Sequence, residues 1–291
     1  MSFGFQTLGF MSGGVAPLDY INASGGTVTT DGDYKVHTFT SPGTFAVTSI
    51  GETAVPSTFR DKISYTVIAG GGGSGGRHGA GAGGGGAGGF RANNNDAGGD
   101  FSPESPLAAP VSTFTVSASP GSYPISVGSG GARVDGYNDG NPGGASSGFS
   151  ITSAGGGGGG YNNGPVGTNG QSGGSGGGGA RATNVGSAGS GNSPSTSPPQ
   201  GNNGGGGGGS PGELAGSGGG AGGAGQAAWP AQPGPGTPHG ISGSDVTYCR
   251  GGNPGQPAGN LGHGGGWASS DLGDAGNDGV VIVRYRVSGT P

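Results

Sequence analysis

Cysteine, lysine and long apolar runs are nearly missing from this chain of 291 residues. The single cysteine, Cys249, cannot form a disulfide within one chain, which excludes a small secreted scaffold held by disulfides. We expect this thiol to be buried or inert. No apolar run approaches membrane-spanning length, so membrane insertion is not expected. Residues 1–12 lack the basic start and cleavage site of a signal peptide, which predicts synthesis in a cytoplasm.

Charge is also scarce. Charged residues make up 9% of the chain, the formal net charge is −5, and Lys35 and Lys62 are the only lysines. Nucleic-acid binding depends on clustered basic residues that neutralise phosphates, so nucleic acid is not an expected partner. Hydrophobic residues reach only 28%, well below the usual globular level. Most of the chain therefore cannot fold around an ordinary apolar core.

The sequence contains no informative pattern of a catalytic, cofactor or metal site. Neither lysine follows a glycine, as the phosphate-binding loop requires. The four histidines lie far from one another and from Cys249, so no metal-ligand spacing is present. Residues 274–279 resemble the start of a calcium loop, but Tyr285 stands where that loop needs a glutamate, which favours a turn. We predict no enzyme activity, no cofactor and no metal.

Glycine, by contrast, accounts for 83 residues, of which 73 lie between residues 70 and 279. Glycine loses more backbone freedom on folding than any other residue, so these runs must be stabilised repeatedly or remain unfolded. The runs are Gly70–Gly73, Gly83–Gly86, Gly155–Gly160, Gly176–Gly179, Gly204–Gly209, Gly218–Gly220 and Gly264–Gly266.

Three structures can hold this much glycine. Collagen is excluded because glycine does not recur at every third position. A flexible linker is not excluded by composition, although aromatic residues such as Tyr161 between the runs count against this interpretation. The third is a bundle of polyglycine II helices, with three residues per turn, about 3.1 Å per residue and backbone groups pointing outward to neighbours. We predict this bundle, with a structural core of Gly155, Gly157, Gly160, Gly204, Gly206 and Gly209.

Strand patterns flank the glycine-rich body. The Asp-Gly turn at residues 31–33 predicts a hairpin of strands 26–30 and 34–40. Strands 44–50 and 62–69 follow, and residues 280–287 form the most β-prone segment of the chain. We expect that last strand to pair with the N-terminal ones.

The predicted fold is all-β with little or no helix. A small antiparallel root is formed by strands in residues 25–69 and completed by strand 280–287. Residues 70–279 form a glycine-rich body of packed polyglycine II helices with loops. Residues 1–24 are assigned to an attachment segment, although its apolar lead, residues 1–20, could equally pack on the first domain of the chain itself. Within the body, the patterns predict a hairpin of residues 111–117 and 123–128, a short strand at 149–152, and loops at 191–203 and 226–260.

Aromatic and basic side chains in the later loops are the candidate binding residues. Exposed aromatics and arginine on irregular loops are typical of glycan- or protein-binding surfaces. An equally simple interpretation is that these side chains clamp the glycine bundle. The candidates are Trp229, His239, Tyr248, Arg250 and Trp267.

Several segments resemble known phage sequences. Residues 25–45 resemble a segment common in structural proteins of tailed phages. Residues 65–73, YTVIAGGGG, resemble the start of the glycine-rich domain of phage tail fibre and receptor-binding proteins. Residues 123–131 and 144–155 fit the internal pattern of that domain, and residues 279–285 fit its closing strand.

That family is similar to the polyglycine II sandwich of T-even-type distal-tip adhesins, in which loops at the rod ends touch the host receptor. The resemblance implies a virion structural protein, a tail fibre or tail-tip appendage on the particle surface. Its expected partners are other virion proteins, bound through residues 1–24, and a bacterial surface glycan or outer-membrane protein. A homo-oligomer is expected, with a trimer in keeping with the family. Those adhesins carry a large N-terminal attachment domain, whereas only residues 1–24 precede the strands here.

Two other functions stay open at the sequence level. One is a structural or decoration protein of the capsid or tail that contacts no receptor. The other is a cellular glycine-rich surface or ice-binding protein, whose flat rod faces would inhibit ice growth.

Overall fold

The computed structural model describes residues 17–76, 81–93, 102, 105, 107, 114–209, 214–227, 232–253, 261–266 and 273–288. Within these ranges the regular structure is almost entirely β, which confirms the predicted all-β class. The helix is a single turn, α1 (Ser57–Arg60). The strands are β1 (Asn22–Ser24), β2 (Thr27–Asp31), β3 (Tyr34–Phe39), β4 (Gly43–Ser49), β5 (Lys62–Ile68), β6 (Phe90–Ala92), β7 (Phe114–Thr115), β8 (Ser122–Ile125), β9 (Ser146–Gly148), β10 (Ile151–Ser153), β11 (Thr237–His239), β12 (Val246–Tyr248) and β13 (Val280–Arg286).

The closing strand β13 lies in the middle of a six-stranded antiparallel sheet. The order along the sheet is β2-β3-β13-β5-β6, and β7 pairs with the start of β5. Val283 lies opposite His37 on one side and Tyr65 on the other. The predicted pairing of the last strand with the N-terminal ones is therefore confirmed. The glycine-rich body leaves the sheet after β5 and returns to it at β13.

Both faces of this sheet are covered, which explains why β13 is apolar at nearly every position. Val281, Val283 and Tyr285 belong to one core, and Val280 and Ile282 belong to the other. Side chains alternate between the two faces of a strand, so a strand that is buried on both faces does not carry a continuous series of polar side chains on either face. We call the two cores and their sheets the root.

The first core lies between the six-stranded sheet and a three-stranded sheet of order β1-β4-β8. Aromatic rings fill it. Phe45 makes edge contacts with Phe149 and Tyr285, at centroid distances of 5.9 and 6.1 Å. Ile21 is buried in the same core, so the described part of the predicted attachment segment is an integral piece of the root. Residues 1–16 of that segment lie outside the described residues.

The predicted hairpin of residues 111–117 and 123–128 is wrong. β7 pairs with β5, whereas β8 pairs with β4 in the other sheet. The physical reason is tertiary: each short strand pairs with a longer strand of a sheet, and the two contact each other through Phe114 and Tyr123, whose rings meet edge-on at a centroid distance of 5.7 Å. Phe114 packs edge-on against Tyr65 at 6.3 Å, and Tyr123 lies 6.4 Å from Phe45. The predicted strand at 149–152 is shifted, because Phe149 and Ser150 form the turn between β9 and β10.

Outside the root, the chain forms straight segments that make no backbone hydrogen bonds within themselves among the described residues. We call these segments rods. In rod 81–89, every third amide donates to the same neighbour. Residues 83, 86 and 89 donate to rod 154–160, residues 84 and 87 to rod 214–221, and residues 85 and 88 to rod 261–266. A period of three with only external partners is the hydrogen bonding of polyglycine II helices.

The rods lie on a hexagonal lattice. Rod 81–89 also accepts hydrogen bonds from rods 70–76, 174–182 and 250–253, so it has six neighbours. Rods 70–76, 174–182 and 214–221 each have six neighbours by the same count of bonded rods. Further rods around them are 128–134, 138–144, 154–160, 168–173, 186–192, 202–209, 225–227, 232–236, 261–266 and 273–279.

Side chains are excluded from this lattice because neighbouring backbones touch. A Cβ added to Gly85 would lie within 3.0 Å of the Gly72 carbonyl oxygen, closer than real Cβ contacts. The same holds for four of the predicted core glycines, Gly155, Gly157, Gly160 and Gly204.

Gly206 and Gly209 are different, and their assignment to the interior is wrong. The nearest atom to an added Cβ is 3.9 Å away at Gly206 and 3.4 Å away at Gly209. Every third residue of rod 202–209 faces outward, because the rod lies at the edge of the lattice.

Candidate functional site at the rod ends

Several rods end together on the side of the bundle that faces away from the sheets. Rods 70–76 and 154–160 leave β5 and β10, and rod 81–89 leads into β6, so their other ends lie farthest from the root. Hydrogen bonds between rods place these ends at one level: Gly76 N to Asn138 O at 2.8 Å, Arg181 N to Gly81 O at 2.8 Å, and Ala182 N to Gly208 O at 3.3 Å. We call the surface formed by residues 134–139, 161–168, 182–186 and 208–209 the tip surface.

The first turn of the tip surface joins rods 128–134 and 138–144. Gly136 has φ +66°, a conformation that other residues rarely adopt, and it reverses the chain. The Asn138 side chain fixes the turn by donating from Nδ2 to the Asp135 carbonyl at 2.8 Å. Tyr137 stands at the apex with 51% of its surface exposed. The turn is therefore rigid in its backbone and presents an aromatic ring.

The second turn follows rod 154–160. Gly164 has φ +77°, and its amide donates to Asn162 Oδ1 at 2.6 Å. The Asn163 amide donates to the Val166 carbonyl at 3.0 Å and closes the loop. Val166 projects from it and is 47% exposed.

Hydrogen bonds join the separate turns into one surface. Asp139, beside the first turn, accepts from the Tyr161 amide at 3.2 Å and from the Thr168 hydroxyl. The third turn, formed by residues 182–186, is joined to the second one, because the Asn184 amide donates to the Pro165 carbonyl at 3.0 Å. Val185, next to Asn184, is 47% exposed.

Exposed apolar side chains concentrate at this end of the molecule. Of the five large hydrophobic side chains that are well exposed in the described ranges, three lie here: Tyr137, Val166 and Val185. The ion pair of Arg133 and Asp135, 3.5 Å apart, is exposed on both sides and therefore contributes little stability. The tip surface is thus a firm set of turns with apolar and amide groups, suited to non-covalent recognition.

The candidate residues from the later loops lie at the root instead. His239 is on β11 and Tyr248 on β12, and these strands form a hairpin within the predicted loop 226–260. Both side chains are buried in or against the second core, where His239 packs edge-on against Phe90 at 5.5 Å. The prediction that these two residues face a receptor is wrong. The hairpin covers the second face of the sheet, and its aromatic groups are used in that packing.

Arg250 begins rod 250–253 and is half-buried, and its carbonyl accepts from the Gly264 amide at 3.0 Å. Trp229 and Trp267 lie outside the described residues. The structure therefore places His239 and Tyr248 in one hairpin close to the sheets, and Arg250 follows this hairpin at the start of a rod. For His239 and Tyr248, the structure fits the other interpretation of these side chains, in which they hold the fold together rather than bind a ligand.

Burial shifts the ionisation of several groups in the molecule. It raises the pKa of the Cys249 thiol, which is fully buried, as expected for an inert cysteine. It lowers the pKa of His263 to about 4. Burial also lowers the pKa of His37, whose ring nitrogens bond the Gly25 carbonyl at 2.7 Å and the Tyr285 hydroxyl at 2.9 Å. These groups support the packing of the root and the lattice.

Groups of three or more metal-ligating side chains were sought in the described part of the chain, and none was found. In the same residues, no helix has the length and apolar character needed to cross a membrane.

A model of a known protein family matches most of the chain. The model of a family described as a glycine-rich domain matches residues 40–286, a range that takes in most of the root and every rod. The chain belongs to this family. The glycine-rich domain is therefore the whole lattice together with the sheet strands that anchor it. No curated protein matches the chain.

Sequence reasoning missed the exposed residues of the tip surface. Their local signal is the turn chemistry of Asp135-Gly136 and Asn163-Gly164, each of which follows a glycine-rich rod. Such dipeptides favour positive φ and tight reversal. What hides the site is that Tyr137, Val166 and Val185 are separated in sequence and come to the same end of the molecule only through the packing of the rods.

Proposed function

We propose that this chain is a non-catalytic structural protein of a tailed-phage virion, a tail fibre or tail-tip appendage that attaches the particle to its host. The proposal rests on one observation: the exposed side chains of Tyr137, Val166 and Val185 all lie at the end opposite the root. The proposal is also supported by the resemblance of residues 25–45 and 65–73 to phage structural proteins and by the glycine-rich domain family. The chain would be exposed on the particle surface.

In this proposal, the protein acts by holding the binding groups of the tip surface in fixed positions. Rods cross-linked by backbone hydrogen bonds hold the turns at fixed separations, so the tip surface loses little conformational entropy on binding. Other virion proteins would hold the root through residues 1–24, and several copies would add avidity. The partner on the host is a bacterial surface glycan or an outer-membrane protein.

Binding of the purified, fluorescently labelled chain to host cells tests the proposal. A variant with Tyr137→Ala, Val166→Ser and Val185→Ser is expected to lose at least tenfold in affinity, because apolar and aromatic anchors dominate most interfaces. Protease treatment of the cells should abolish binding to an outer-membrane protein, whereas periodate oxidation should abolish binding to a glycan.

A matched control is Ile50→Ser, which changes an exposed apolar side chain at the root, just after β4. It should leave cell binding unchanged. If virions carrying the triple variant assemble and adsorb normally, the chain is a decoration protein without a receptor. Equal loss with both variants would contradict the assignment of binding to the tip surface.

A further inference from the structure

The edge strand β2 is open to a further partner. β2 pairs with β3 on one side and ends the six-stranded sheet on the other. In the described part of the chain, its backbone makes no hydrogen bond apart from the pairing with β3. Thr27 to Thr30 are exposed on both faces of the sheet, and Val28 is 46% exposed. This strand therefore offers an unpaired row of N–H and C=O groups.

The opposite edge of the same sheet is closed. There the Phe90 amide of β6 donates to the Gln200 carbonyl at 2.9 Å. The outer strand β8 of the second sheet likewise continues into two hydrogen bonds between Ser126 and Ser147, each 2.9 Å.

The sequence of β2 also lacks the usual protection of an edge. Natural edge strands carry lysine, proline or a bulge that blocks pairing with another chain. Residues 27–30 are Thr-Val-Thr-Thr, β-branched and uncharged. The one charge of the strand, Asp31, is held at 2.8 Å by the buried Arg284. Nothing along the strand repels an identical edge.

We propose that β2 pairs antiparallel with β2 of a second copy of this chain. A two-fold axis at Val28 would place Val28 opposite Val28 and Thr27 opposite Thr29. Both exposed valines would then become covered, and β-branched residues opposite each other stabilise a sheet. The two sheets would join into one continuous sheet across the interface.

The interface is small. Five residues extend over about 17 Å, and so short a pairing is expected to associate weakly in solution. Copies held side by side on a larger assembly would pair far more completely, because the effective concentration is high. The proposal concerns the root and does not depend on what the tip surface binds.

Sedimentation of the full chain over a wide concentration range tests the pairing. The chain should shift from monomer to dimer as concentration rises. Val28→Lys places two ammonium groups opposite each other across the axis and should raise the dissociation constant at least tenfold. Val28→Ile should lower it. The control Val185→Lys changes an equally exposed valine at the tip surface and should leave the constant unchanged.

A cross-linking experiment tests the register. The native thiol of Cys249 is buried, so Val28→Cys introduces one accessible thiol. Opposing residues in antiparallel strands have Cβ atoms about 4.5–5.5 Å apart, near disulfide geometry. Mild oxidation should yield a dimer linked through position 28, whereas Val185→Cys should yield little.

Three results would overturn the pairing. They are a monomer at all concentrations, a dimer that is indifferent to Val28→Lys, and equal cross-linking of the Val28→Cys and Val185→Cys variants. Thermal melting of each variant confirms that it is folded, since position 28 is exposed and its substitution should not unfold the root.

Discussion

At the scale of single residues, glycine is required here by its neighbours rather than by its own torsion angles. The glycines of the runs are not in the left-handed region, since the positive φ values belong to turns such as Gly136 and Gly164. What excludes a side chain at Gly85 is the Gly72 carbonyl. At Gly206 no such contact exists, because this residue faces out of the lattice. Two identical residues in similar runs therefore contribute very differently to stability.

Alanine substitution at these two positions should separate the effects. Gly85→Ala is expected to lower the free energy of unfolding by about 3 kcal/mol or more, because the lattice must open and at least one hydrogen bond is lost. Gly206→Ala should change it by less than about 1 kcal/mol, with stabilisation favoured by the stiffer unfolded chain. Urea unfolding of both variants measures the difference. Equal costs would mean that the lattice does not exclude side chains.

The histidines show how burial couples stability to pH. Burial lowers the pKa of His263 from 6.5 to about 4, with nearby Arg250 adding to the shift. Between these values the unfolded chain binds a proton that the folded chain does not. The folded state is therefore favoured above pH 6.5, and this contribution is lost as the pH falls towards 4.

His263→Gln tests this coupling. At about 1.36 kcal/mol per pKa unit, the wild-type chain should lose on the order of 3 kcal/mol through His263 between pH 7 and pH 4. The variant lacks this proton uptake, so its free energy of unfolding should fall less steeply over the same range. Urea unfolding at several pH values gives the slope of the free energy of unfolding against pH for the wild-type chain and for the variant. Parallel slopes would place His263 in contact with solvent.

At the scale of elements, β13 is the strand on which the root depends. It pairs with β3 and β5, and its side chains enter the cores on both faces of the sheet. It also ends the glycine-rich body, since rod 273–279 leads directly into it. Loss of β13 packing would therefore open both cores and release one end of the lattice.

Trimming one valine of β13 should have a large effect. Val283 is fully buried, and Val283→Ala should lower the free energy of unfolding by about 2 kcal/mol through lost burial and a small cavity. Val287, one residue beyond the strand, is partly buried against the same core. Val287→Ala should cost clearly less in the same unfolding experiment. A reversed order would mean that the end of the strand, rather than its centre, anchors the sheet.

At the scale of the whole molecule, hydrogen bonds between rods replace much of the missing apolar core. Rods 70–76, 81–89, 174–182 and 214–221 each have six bonded neighbours, whereas outer rods such as 186–192 have fewer. The two apolar cores lie at the root, and the second one also takes in Ala87 and Ala221 from the root ends of their rods. Because each rod is bonded to its neighbours every third residue, the lattice is expected to open cooperatively from its outside.

Amide hydrogen exchange should show this order. The glycine amides of rod 81–89 are expected to exchange only on global unfolding, since each is enclosed by six rods. Amides of rod 186–192 should exchange faster by at least tenfold, although both rods bond with the same period. Exchange measured residue by residue at neutral pH gives the comparison. Uniform protection would indicate a lattice that opens in one step.

Much of this fold follows from the sequence, and the reasons are local. The Asp-Gly turn at residues 31–33 predicts the hairpin of β2 and β3, and uninterrupted glycine in runs such as Gly155–Gly160 admits few structures besides polyglycine II. The structure of residues 226–260 is harder to predict from the sequence. Proline and glycine suggested an irregular loop, but its aromatic residues fold as a hairpin onto the sheet, a contact that no local pattern encodes.

The sequence by itself determined the chemistry of the molecule: a chain with little charge and few apolar residues must be held by its backbone, and only glycine permits that on all sides. Tertiary structure decided which glycines are enclosed and which surfaces remain free. Gly157 and Gly206 look alike in sequence, and only the position of their rods in the lattice distinguishes them. The tip surface arises in the same way, because residues far apart in the chain become neighbours once the rods align and end together.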